Sequence, residues 1–235
     1  MIWYMCLPLA ILLVTSAGCS GRPSPPPTQQ ASVEAPNARR IPISDEPPAA
    51  LLQLEQSATE LFDAARSSDW HRAPASLQAL NEAVSNLPTD LRDPDVAAQL
   101  QSRLASVRDA TNSRNQLKTM DAANAITQIV VELSSKYWSE VPYEVKMLGY
   151  YGRQIELGVA SRSSTVAERA TTELAATWNR IQPAIEQRGH VDDARRFSGI
   201  VMTLMGAKGA ADFSAPARDE LAAARHLESI FSSRQ

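Results

Sequence analysis

From Pro48 to the C-terminus, apolar residues recur at spacings of three and four, and no stretch of useful length alternates apolar with polar positions. That periodicity commits the body of the chain to helices. Leu51, Leu52, Glu55, Ala58, Leu61, Phe62 and Ala65 trace one stripe; Leu77, Leu80, Val84 and Leu87 trace a second, which Pro88 stops. Asp93-Pro94 supplies a cap followed by a proline in the first turn, and it opens a helix with Leu100, Leu104 and Val107 on one side. A fourth helix is predicted over 116–135, with Met120, Ala123, Ile126, Val130 and Leu133 inward.

Four more helices are predicted over 142–162, 164–187, 191–208 and 214–232. Pro142 and Pro216 suit first turns, Gly189 and Gly209 suit helix ends, and Pro183 should kink the helix that contains it. The second half also echoes the first. Residues 60–68 (ELFDAARSS) align with 156–164 (ELGVASRSS) at an offset of 96, with six of nine positions identical. At an offset of 97, Leu100, Leu104, Val107, Val130 and Leu133 fall on Phe197, Val201, Leu204, Leu227 and Ile230, although identity over that stretch is low. The expectation is an all-α chain of tandem duplicated helical units, two four-helix bundles over 49–140 and 141–235. A single helical-repeat solenoid is the alternative, suggested by the turn-like Asp69-Trp70 between short amphipathic helices, but no 34-residue period supports it.

Ahead of this body the composition changes. Residues 20–48 hold Pro23, Pro25, Pro26, Pro27, Pro36, Pro42, Pro47 and Pro48 and few large apolar side chains, the signature of a linker. In a polyproline conformation at about 3.1 Å per residue, such a segment reaches as far as roughly 80 Å. Before it lies an apolar run from Leu7 to Val14, followed by Thr15-Ser16-Ala17-Gly18-Cys19. As a helix, Ile2 to Val14 is roughly 20 Å long, short of the about 30 Å of bilayer hydrocarbon. The small residues followed by cysteine resemble the end of a bacterial lipoprotein signal peptide. The resemblance implies that 1–18 are removed and that Cys19 becomes a lipidated N-terminus, with 19–48 as the tether. It departs from the lipoprotein pattern at Ser16, usually leucine, and in the lack of a basic residue among the first five positions. Ser20 after the cysteine resembles lipoproteins sent to the outer membrane.

Cys6 would leave with the signal segment, so Cys19 would be the only mature thiol and no internal disulfide could form. The helical body must then be held by its core, which is feasible for about 190 residues.

Catalytic signatures are missing from the sequence. There is no phosphate-binding glycine loop, nucleophile elbow, paired-histidine zinc helix or haem-attachment cysteine pair. No cofactor and no metal are expected. The nearest approach to a metal donor set is Met202 with Met205, a soft thioether pair, and His190 with His226. Methionines at helical spacing more often fill a core, and His190 ahead of Asp192 and Asp193 suits a helix start. Tyr137, Trp138, Tyr150 and Tyr151 flank the junction between the two units, with Lys136, Lys146 and Arg153 among them. Aromatics beside cations suit a ligand or partner surface, and they suit an interface between helical units better. Asn124, beside an apolar stripe, either bonds across helices or faces solvent. A formal net charge of −3 with interspersed signs excludes a nucleic-acid footprint.

These features point to a nonenzymatic cell-envelope lipoprotein on the periplasmic face of the outer membrane: a tethered helical interaction or scaffold module with an envelope protein partner. The competing expectation is a helical bundle that binds a metal, haem or a small amphipathic ligand.

Overall fold

The computed structural model describes residues 47–91, 93–137 and 139–232. Among them the regular structure is helical throughout: α1 (Ala49–Arg66), α2 (Ala73–Ser85), α3 (Pro94–Asn112), α4 (Gln116–Ser134), α5 (Tyr143–Ala160), α6 (Ser164–Gln187), α7 (Val191–Gly206) and α8 (Ser214–Ser232). Short 3-10 turns at Thr89–Leu91 and Ala210–Phe213 complete the order. The predicted signal segment, Cys19 and most of the tether lie outside the described residues, as does Trp138. No described helix is long and apolar enough to cross a membrane.

The stripes read from the sequence are largely buried, with Leu77 and Val84 partly covered and Leu52 exposed. Leu51, Leu54, Ala58, Leu61 and Phe62 of α1 meet Leu80, Leu100, Val107, Met120, Ile126 and Val130 in one apolar core built from α1 to α4. Val145, Leu148 and Ile155 of α5 meet Leu174, Trp178, Phe197, Leu204, Phe213 and Leu227 in a second, built from α5 to α8. Trp178 is the largest side chain in it; its ring lies 4.5 Å from that of Phe197, and its Nε1 donates to Ser198 Oγ at 3.0 Å. The indole therefore buries its apolar body without orphaning its N–H.

The cores touch through α5. Leu157 on α5 belongs to the first core although its helix opens the second. Gly158 next to it lets α5 approach α6 closely: a Cβ there would lie 2.6 Å from the backbone nitrogen of Ala167.

Three helix ends use one device. After α1, α3 and α5 the chain passes through Ser67-Ser68-Asp69, Ser113-Arg114-Asn115 and Ser161-Arg162-Ser163, with the middle residue in the left-handed region at φ of 57°, 51° and 57°. In each, the first serine's hydroxyl donates back to a carbonyl of the last turn, Asp63, Asp109 or Leu157, at 2.7–2.9 Å. The third residue's N–H returns to Ala64, Ala110 or Gly158 at 2.8 Å. Orphan carbonyls are satisfied without a glycine. Asn115 and Ser163 then cap α4 and α6 by accepting from the N–H groups of Lys118 and Val166.

Helix boundaries refine the internal register. α1 and α5 both follow a proline in an extended conformation, Pro48 and Pro142, and both end at a serine, Ser67 and Ser161. The helix ends thus correspond at an offset of 94, two less than the identities at 60–68 suggest. At 94, the fully buried Leu51, Leu54 and Leu61 fall on the fully buried Val145, Leu148 and Ile155. For the later helices the offset of 97 pairs buried with buried residues at Leu100 and Phe197, Val107 and Leu204, and Val130 and Leu227. Pro183 lies within α6, which continues to Gln187 with Ile181 and Ile185 buried on one face.

Candidate functional site

A cleft of about 660 Å³ lies between α1, α5 and α8. Its volume lies within the range of small-molecule sites, about 300–1,000 Å³. Pro47 and Leu52 of the α1 end, Val141 before α5, and Leu221 and Ala224 of α8 give it apolar walls. Its polar members are Glu55, Glu60, Lys146, Arg153, Arg225 and Glu228, together with Glu140.

Helical spacing on α5 creates this site. Lys146, Gly149 and Arg153 recur at three and four, so a stripe of cation, gap and cation runs along the face that meets α1 and α8. Lys146 Nζ donates to Glu55 Oε2 of α1 at 2.7 Å, in an ion pair with both side chains largely covered. Arg153 is buried, and its Nε donates to Asn124 Oδ1 of α4 at 2.8 Å. Among the described residues neither of its terminal nitrogens has a hydrogen bond or ion pair. Arg153 Nη1 and Glu228 Oε1 lie 3.6 and 3.7 Å from the point where a Cβ on Gly149 would stand. The cation and the carboxyl flank the glycine without joining.

Behind the cleft stands Glu220, fully buried, with both carboxyl oxygens unpartnered. It packs onto Gly152, which has no side chain to obstruct it. Burial pushes its carboxyl well above the ordinary value of 4.5, and the nearby Arg153 only partly opposes this. Burial also raises Glu228, aided by Glu55 and opposed by Arg153, Lys146 and Arg225. Glu156 rises for the same first reason, and one of its oxygens is buried without a partner. Arg153 is lowered by desolvation, with Glu228 and Glu220 opposing, yet a guanidinium keeps its charge at neutral pH. The site therefore presents a fixed buried cation beside carboxyls that hold their protons unusually well.

The expected site residues fall elsewhere. Tyr150 and Tyr151 pack edge to face, centroids 5.2 Å apart, on α5. Tyr150 Oη donates to Gln128 Oε1 at 2.9 Å, and the Asn124 side-chain amide donates to the Tyr150 carbonyl at 3.3 Å. Tyr150 is thus part of the α4–α5 seam, the structural alternative for these aromatics. Tyr137, after α4, packs half-buried against the first core. Asn124 bonds across helices, the first of its two alternatives.

The methionine expectation needs correction. Met120 and Met147 are buried, but Met202 and Met205 on α7 are 75% and 56% exposed, so they fill no core. The inward positions of α7 are taken by Phe197, Val201 and Leu204 instead. His190 and His226 do meet, through one carboxylate: His190 Nδ1 lies 3.2 Å from Asp193 Oδ2 and His226 Nε2 lies 3.1 Å from Asp193 Oδ1. This bridge ties the start of α7 to α8. No group of three or more histidine, cysteine, aspartate or glutamate side chains among the described residues is arranged to hold a metal.

Sequence reasoning placed Lys146 and Arg153 near the aromatics but missed the cleft. The available signal was the run Lys146, Gly149, Gly152, Arg153 and Glu156, charges and glycines on what is otherwise a core helix. Comparison of the chain with protein-family models, with curated proteins and with solved structures finds no match.

Proposed function

We propose that this chain is a nonenzymatic helical binding module of the cell envelope, held on a lipid-anchored tether, with the α1–α5–α8 cleft as its ligand site. The observation that carries the binding half of this reading is the buried Arg153 at the cleft floor, whose terminal nitrogens find no hydrogen-bond partner among the described residues. Glu228 and Glu220 lie near it without pairing, and a ligand reaching it from the open side supplies the missing partner. Native mass spectrometry of the full chain purified from its host tests this. Mass that is bound in the native spectrum and lost on denaturation supports the reading, and a bare chain from several growth conditions counts against it.

The anchor half rests on the resemblance of 1–19 to a lipoprotein signal peptide. Replacing Cys19 by alanine should move the protein from the membrane to the soluble fraction; if it stays with the membrane, the anchor is wrong. A second reading, an interaction module for an envelope protein partner, is favoured by the exposed Val191, Met202 and Met205 of α7. Crosslinking from position 202 in intact cells separates it from the first.

A further inference from the structure

The cleft has one polar end and one apolar flank, and that polarity narrows what it can take. The polar end is the gap over Gly149, bordered by Arg153 Nη1 and Glu228 Oε1. The flank is built from Pro47, Leu52, Val141, Leu221 and Ala224. Leu52 is 46% exposed at the rim, an aliphatic side chain left open where a ligand's apolar part would pass.

We propose that the cleft binds an amphipathic carboxylic acid, its carboxylate on Arg153 and its hydrocarbon portion along Leu52, Val141 and Leu221. This rests on the reading of the cleft as a ligand site. Three observations select an acid over an amine or a neutral amphiphile. The carboxyls near the floor are paired or have their charged form disfavoured: Glu55 pairs with Lys146, and burial pushes up Glu220 and Glu228. Among the described residues the guanidinium has both terminal nitrogens unengaged, and its geometry matches a carboxylate's two oxygens. Burial of Glu228 across the gap disfavours its charged form, which lessens its repulsion of the same carboxylate.

The test uses the full chain bearing Cys19→Ala, so that no detergent competes, with octanoate, 1-octanol and octylamine as probes in calorimetric titrations. Octanoate should bind at least about tenfold more tightly than 1-octanol, the equivalent of 1.4 kcal/mol, and octylamine more weakly than either. Gly149→Leu, which sets a side chain in the gap while leaving Arg153 in place, should abolish octanoate binding with helicity retained. Arg153→Gln, if folded, should reduce octanoate to the affinity of 1-octanol. Equal binding of octanoate and 1-octanol, or preference for octylamine, overturns the acid assignment while leaving the cleft a ligand site. Binding unaffected by Gly149→Leu overturns the placement in this cleft. If none of the probes binds, the acid assignment falls; the ligand-site reading falls with it only if native mass spectrometry also finds a bare chain.

Discussion

Glu220 on α8 occupies the space that a side chain at position 152 of α5 would need. A Cβ on Gly152 would fall on Glu220 Oε2 and lie 2.8 Å from Leu221 Cδ2. The glycine is thus fixed by a neighbour rather than by its own backbone. Gly152→Ala should cost about 1–3 kcal/mol by overpacking, and pairing it with Glu220→Ala should recover part of that loss. Denaturant titration of the two single variants and the double gives the coupling.

Proton binding supplies a second expectation. Glu156, Glu220 and Glu228 are all pushed up, burial being the first cause of each. The groups facing Glu220 are Arg153, Glu228, Arg225 and Glu156. With folded values above the unfolded ones, the native state holds more protons. Between the ordinary carboxylate range and the raised values, stability therefore falls as pH rises. Glu220→Gln removes the ionisation and keeps the shape. It should be more stable than wild type at pH 8 and gain little or nothing at pH 4, read as thermal midpoints; a constant difference across pH would refute this.

The left-handed turns predict stabilisation. Non-glycine residues pay for that conformation, so Ser68→Gly and Arg162→Gly should each raise stability by about 0.5–1 kcal/mol. Neither substitution touches the cleft, and octanoate affinity should not change.

Asn124 joins α4 to α5 by accepting from Arg153 Nε and donating to the Tyr150 carbonyl. Asn124→Leu leaves the guanidinium nitrogen without its acceptor and should cost about 1–3 kcal/mol. Because Asn124 holds Arg153 in place, the same change should also weaken octanoate binding at temperatures where the variant is folded.

Much of the helix layout was legible because periodicity and punctuation agree. The predicted 164–187 and 214–232 match α6 and α8, and Asp93-Pro94 opens α3 as its cap and proline require. Local spacing does not reveal which apolar residues a fold leaves outside. Met202 and Met205 look like core residues by type, yet Phe197, Val201 and Leu204 take the inward face of α7. The cleft was hidden for a related reason. Its floor joins Lys146 and Arg153 of α5 to Glu228 of α8, and its cation is held by Asn124 of α4. The run on α5 shows half of this pattern; Glu228, far along the chain, completes it, and burial rather than residue type perturbs the carboxyls.

Pro47, the first described residue, lines the cleft beside Leu52 and Glu55 of α1. If the segment before it is a membrane tether, mechanical tension enters the folded body at the rim of the binding site. Pulling on the chain would load the first turns of α1, where Leu51 and Leu54 enter the first core and Glu55 carries the ion pair to Lys146.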